Sequence, residues 1–217
     1  MADYPVTPRN QVMRYPKRGV YDRDTVHRIL DEALVCHVSF VLDGAPFLIP
    51  TLHARMDDEV LLHGLKGGRM LKHIEEGNPV AVAVTLLDGL VLARTVFNHS
   101  MNYRSVVLYG RGRLVEDPAE KLRGLERLSD QVCPGRWAEA RPPTPKELQA
   151  TSLVAIRIEE ASAKIRQGRP GDADDELDWP VWAGVLPLNQ VPGTPETDPR
   201  PHGDHAVPAY VSGWRRG

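Results

Sequence analysis

Cysteine is scarce: only Cys36 and Cys133 occur in 217 residues, and they lie far apart. That spacing excludes a disulfide framework and a CxxC metal knuckle, and Cys36, inside LVCHVSF, reads as a small buried residue. No sign of charge dominates, because 27 Lys and Arg face 29 Asp and Glu. A sequence-independent nucleic-acid footprint is therefore not expected, although a local basic pocket is compatible with the balance. Long apolar runs are missing, and the N-terminal stretch is polar and proline-containing. Neither a membrane span nor a signal peptide is expected, and a soluble cytoplasmic protein is the reading that follows. Common catalytic signatures are absent as well: there is no GxSxG, GxxxxGK[ST] or HExxH, and the GRGRL at 110–114 is not GxGxxG. The easy hydrolase, P-loop and Rossmann readings go with them.

What is present points to β structure. Residues 1–20, with Pro5, Pro8, Pro16 and Gly19, read as an irregular arm. YDRDTVHRILDEA then predicts a helix capped by Asp22 or Asp24, with Val26, Ile29, Leu30 and Ala33 on one face. Three strand-like runs follow, Val35–Val41, Pro46–Arg55 and Glu59–His63, punctuated by turns at Asp43-Gly44 and Asp57-Asp58. A short helix turns Met70, Leu71 and Ile74 inward and stops at Gly77. NPVAVAVTLL predicts a buried strand ending at Asp88-Gly89, answered by Leu90–Phe97. The long strand in NYRSVVLYGRGRLVED carries Gly110 and Gly112 on one face, the pattern of a barrel bend or a close backbone approach. Asp117-Pro118 opens a helix bearing Leu122, Leu125 and Leu128; a short helix at Pro145–Ala150 leads to two strands in TSLVAIRIEEASAKIRQG.

Counting gives about seven or eight strands joined mostly by hairpins, without alternating crossover helices. The fold class is mainly β: a small closed or partly open antiparallel barrel with short flanking helices. The expected division is an arm at 1–20, a barrel domain at 21–170, and an extended Pro-, Gly- and Asp-rich tail at 171–217 that packs on a partner subunit.

Candidate chemistry is sparse. His53, His63 and His73 are spaced ten apart with His37 and His99 nearby, but no second ligand sits at helical spacing, so a dedicated metal site is not expected. Ser39, Ser100 and Ser105 lack a recognisable base, and the acidic run at 172–178 lacks an EF-hand glycine pattern. The informative stretch is HGLKGGRMLKHIEEG, 63–77. A helix N-terminus carries about +0.5 of partial charge, which makes Arg69 in its first turn unfavourable unless an anion sits there. Gly67-Gly68, free N–H groups, Arg69, Lys66 and Lys72 together suit a phosphate.

PFLIPTLHARMDDEVLLHGLKGGRMLKHIEEGNPVAVAV resembles the core of the pyridoxamine 5′-phosphate oxidase-like FMN-binding split-barrel family. FNHSMNYRSVVLYGRGRLVED and KIRQGRP…WPVWAGVLPL resemble its flavin-nucleotide-binding branch, which includes 5-nitroimidazole-resistance proteins; the likeness spans Tyr21 to Leu188. The resemblance implies a homodimer with FMN at the interface and the redox step carried by the flavin. By position, Ile49, Pro50 and Thr51 would lie along the flavin and its ribityl chain, His63 and Gly64 would end the next strand, and Arg69 would grip the phosphate with Lys66 or Lys72. Ser105 and Arg166 would reach the cofactor from the partner side, with His99 and Tyr103 as substrate contacts. Two departures stand out. Met70 follows Arg69 where many members have a second cation, and the C-terminal Arg/His constellation for vitamin B6 oxidation is missing. The implied function is an FMN-dependent oxidoreductase for a small nitro-, quinone- or amine-like compound. The alternatives are haem or a deazaflavin in the same barrel, or a non-catalytic flavin-binding protein.

Overall fold

Tyr4 ties the N-terminal arm to the barrel. Its ring is buried, and its hydroxyl donates to Asp58 at 2.6 Å and hydrogen-bonds His27 at 2.9 Å. In the computed structural model, which describes residues 3–200 and 206–215, the arm is irregular but anchored. Buried Asn10 donates to the Pro5 and Ala161 carbonyls, and β1 (Gly19–Val20) adds to the sheet. The ends of the arm and tail at 1–2, 201–205 and 216–217 lie outside the described residues.

The elements follow in order: α1 (Arg23–Glu32), β2 (Val35–Leu42), β3 (Ala45–Leu52), β4 (Ala54–Met56), β5 (Glu59–Leu65), α2 (Arg69–Glu75), β6 (Pro79–Leu92), β7 (Ser100–Leu114), α3 (Pro118–Val132), α4 (Arg136–Glu139), α5 (Pro145–Ala150), β8 (Thr151–Arg157), β9 (Glu160–Arg166), β10 (Gly184–Pro187) and α6 (Ala209–Ser212). Every strand pairing is antiparallel. The order is β3-β2-β6-β7-β8-β5-β4, with β9 beside β7, β1 beside β9 and β10 beside β6. This is an antiparallel split barrel with short flanking helices.

Local chemistry accounts for most boundaries. Asp22 Oδ1 accepts from the Thr25 N–H and caps α1, whose Val26, Ile29 and Leu30 enter the core. Asp117 and Thr144 cap α3 and α5 in the same way. Asp43-Gly44 and Asp57-Asp58 form two-residue hairpin turns, with positive φ at Asp43, Gly44 and Asp57.

Three details differ from the sequence expectation. Asp88-Gly89 does not end a strand: β6 runs through it with a bulge, and β7 supplies the answering strand instead of Leu90–Phe97. The extra residue swings the Asp88 carboxylate onto Arg104, which also pairs with Glu32. The run Pro46–Arg55 is broken at His53, whose Nε2 hydrogen-bonds the Leu30 carbonyl at 3.0 Å. Finally, the described strands number ten because arm and tail contribute β1 and β10, each pairing within the chain. Trp214 in the tail likewise donates to the Val132 carbonyl of α3 at 2.8 Å.

Gly110 and Gly112 lie where β7 leaves the β6–β9 layer and meets β8. A Cβ at Gly110 would stand 1.9 Å from the Arg157 carbonyl oxygen, and one at Gly112 would stand 2.2 Å from Ile74 Cγ2. The barrel corner therefore needs two residues without side chains. Two cores result. Val38, Val82, Leu108 and Ile156 fill the barrel, while Leu61, Leu128, Leu153 and Ala155 form a second cluster beneath α3. Among the described residues, no helix is long and apolar enough to cross a membrane.

Candidate functional site

The link from β5 to α2 presents cations at a helix start. Gly67 takes φ +85°, Gly68 is the N-cap, and no side chain caps the first turn. Arg69 is exposed, with its guanidinium 4.7 Å from the Phe47 ring centroid. That contact uses the ring's π face, and no hydrogen bond to a described residue takes up the guanidinium N–H groups. Among the described residues Arg69, Lys66 and Lys72 pair with no carboxylate. Burial, and then the charge of Lys66, hold the Lys121 ammonium below its usual pKa range. Met70 is 8 % exposed in the barrel core. A cation at 70 would point inward, and the other exposed cations beside Arg69 are Lys66 and Lys72.

Beside this helix start runs β3, an edge strand paired only with β2. Ile49 packs against the core, and Thr51 shares the face of buried Cys36. Pro50 turns the other way, opposite His37, and is exposed. On β5, Gly64 faces α2, where a Cβ would meet Leu71 Cδ1 at 3.1 Å. His63 faces α3, and its imidazole has no hydrogen-bond partner among the described residues. Desolvation lowers its pKa, so the neutral ring is favoured.

His99, Tyr103, Ser105 and Arg166 belong to other elements. Tyr103 lies opposite Arg166, and Ser105 opposite Lys164, whose carbonyl accepts from Ser105 Oγ at 3.3 Å. Arg166 is 9 % exposed, donates to Asn102 Oδ1, and ion-pairs with no carboxylate among the described residues. Burial, then the charge of Arg18, lowers its pKa. Arg14 and Arg18 from the arm join Arg166, His99 and Ser100 around a cavity of about 380 Å³, and His99 Nε2 lies 3.2 Å from the Ala93 carbonyl. The arm arginines were not among the residues singled out from sequence. No local pattern in the sequence marks them; only the fold brings them to Arg166.

No hydrogen bond joins these two groups among the described residues. His53 and His73 have structural roles. Burial pushes His53 down to about 4, and His73 packs on the Phe40 ring with centroids 4.8 Å apart. Among the described residues, no group of three or more His, Cys, Asp or Glu side chains is placed to hold a metal ion.

Comparison with known proteins agrees with this architecture. Residues 22–165 match the family model described as pyridoxamine 5′-phosphate oxidase. The chain superposes on the flavocytochrome Anf3 of Azotobacter vinelandii with a TM-score of 0.90 at 39 % identity, covering 97 % of this chain and 98 % of that one. An FAD and haem binding protein from Mycobacterium smegmatis gives 0.85 at 38 % identity over 90 % of this chain and 96 % of that one. A putative 5-nitroimidazole antibiotic resistance protein from Bacteroides thetaiotaomicron shares the fold, at 0.57 and 20 % identity over 68 % of this chain and 86 % of that one. No curated protein matches significantly. With two thirds of its length in the family model and a near-complete relative at 39 % identity, the chain belongs to the pyridoxamine 5′-phosphate oxidase family.

Proposed function

We propose that this protein is a homodimeric redox protein that binds a flavin, FAD, together with haem. The observation that carries the reading is the extent of likeness to a flavocytochrome and to an FAD and haem binding protein. It runs through the arm and tail, outside the 22–165 core common to the wider family. The same observation favours FAD over the FMN that the core resemblance implies.

The residues present fit such groups. Arg69, Lys66 and the uncapped start of α2 offer positive charge without a protein counterion, as a flavin phosphate requires. Arg166 with Arg14 and Arg18 offers a second such place. When bound, the flavin supplies hydride and single-electron transfer and the haem supplies single-electron transfer. The chain's own part is to neutralise phosphate charge, to hold the ring system along the free edge of β3, and to present His99 and Tyr103 to a small organic substrate.

Each chain contributes the two halves on different elements, which suits a site completed by a second copy. The outer surface of β2, β3 and β6 exposes Val35, Val41, Leu48 and Leu87, an apolar face that a second copy would remove from water. Sedimentation velocity at micromolar concentration is expected to give the mass of two chains; a compact monomer that nonetheless holds cofactor would remove the dimer from the proposal.

The deciding experiment is the absorption spectrum of protein purified from cells and, separately, after incubation with hemin and FAD. Flavin bands and a Soret band are expected, with FAD identified by chromatography of heat-released cofactor. A colourless protein that neither quenches FAD fluorescence nor acquires a Soret band overturns the proposal.

A further inference from the structure

We propose that His63 is the axial ligand to the haem iron, in an apolar groove between the end of β5 and α3. This inference rests on the haem-binding reading above and assigns it a place in the chain.

The groove encloses about 380 Å³ and is walled by Leu52, Leu125, Leu128, Val132, Trp137 and Pro143. Its remaining lining is His63, Ser129, Cys133 and Arg136. A macrocycle of this kind needs a mostly apolar slot, a nitrogen or sulfur donor facing it, and a cation at the mouth for its carboxylates. The strand period delivers the donor: Leu61 is buried under α3, and His63, two residues on, is the same face carried past the end of that core. Its imidazole is bound to no other described residue, unlike His53, His73 and His99, whose Nε2 atoms each meet a backbone carbonyl.

Arg136 stands at the mouth, where its Nη1 donates to the Tyr210 hydroxyl at 3.2 Å and ion-pairs with the exposed Glu139 at 3.7 Å. Val35, the cross-strand neighbour of Leu52 and about half exposed, continues the apolar surface beyond the groove. Two other donors compete. Cys133 shares the groove as the residue that ends α3, and its substitution in the test below separates its contribution from that of His63. His37 also lacks a hydrogen-bond partner among the described residues. It lines a larger cavity that contains the Glu32, Asp88 and Arg104 cluster, where Arg104 is already committed to two carboxylates, whereas Arg136 pairs with one exposed carboxylate at 3.7 Å.

The test compares wild-type protein with His63→Ala, His63→Met, Cys133→Ser and His37→Ala, each incubated with hemin and FAD. Soret position and intensity, ferric electron paramagnetic resonance, and released FAD are measured on each. His63→Ala is expected to lose at least tenfold in haem retention, or to become high-spin, and to recover the wild-type band when imidazole is added. His63→Met keeps haem with a shifted spectrum, and FAD content is unchanged in both. Wild-type spectra from both folded His63 variants overturn the assignment, as does loss of the band in Cys133→Ser or His37→Ala but not in His63→Ala. A wild-type protein that binds FAD but no hemin overturns the haem reading itself, a separate failure visible before any variant is made.

Discussion

Arg69→Ala is expected to weaken flavin binding by roughly ten- to a hundredfold, because a charge-assisted contact to phosphate is worth on the order of 1.5–3 kcal/mol. Arg69 sits in the first turn of α2, where the helix dipole already favours an anion, and no described carboxylate competes for it. The fold should be unaffected, since the side chain is exposed and its one aromatic contact is with partly exposed Phe47. Lys66→Ala should weaken binding by less, because a lysine brings a point charge and not a two-pronged donor. Fluorescence quenching of FAD titrated at low salt measures both. An unchanged dissociation constant in Arg69→Ala would mean that its role ends at stacking on Phe47.

Gly110→Ala should be far more damaging than the loss of any surface side chain. The added methyl group would lie 1.9 Å from the Arg157 carbonyl oxygen. Gly110 pairs with Val80 and Arg157 with Glu59, so backbone on both sides of that contact is held in the sheet and no rotamer change relieves it. Overpacking of a buried site costs about 3 kcal/mol or occasionally more, which for a chain of this size lowers the melting temperature by on the order of 10 °C. Gly171→Ala is the control, because nothing lies within 4 Å of a Cβ there. Thermal unfolding by circular dichroism compares the two. A Gly110→Ala protein as stable as wild type would show that β7 and β8 can separate at the corner.

The two experiments bear on different levels of the molecule. The corner at Gly110 and Gly112 lets one long strand serve both layers of the split barrel, and so places β5 and α2 at the rim. The rim then decides what Arg69 and His63 can reach. A defect at the corner should lower cofactor binding only as far as it lowers the folded population, whereas Arg69→Ala should change affinity at constant stability.

Much of this was legible in the residues. The α1 cap at Asp22, the turns at Asp43-Gly44 and Asp57-Asp58, the inner face of α2 and the glycine pair in β7 are local features. Each depends on atoms a few positions apart. Asp88-Gly89 misled for the same reason: as a dipeptide it suits a turn, and only the pairing of β6 with β7 on one side and β10 on the other keeps the strand running through it. The strands β1 and β10 were hidden because two to four residues carry no readable period, and their partners are distant in sequence.

The site divides along the same line. By itself the sequence determined the barrel class, the cation-bearing helix start at Arg69 and the absence of familiar hydrolase and nucleotide-loop signatures, because spacing and residue type suffice for those. Only the tertiary structure decided that Met70 is a core residue, that Arg14 and Arg18 meet Arg166 across some 150 positions, and that His63 opens onto an apolar groove made by α3. Those facts depend on which distant surfaces share a wall. Charge and packing at a wall are set by elements that the chain brings together only when it folds.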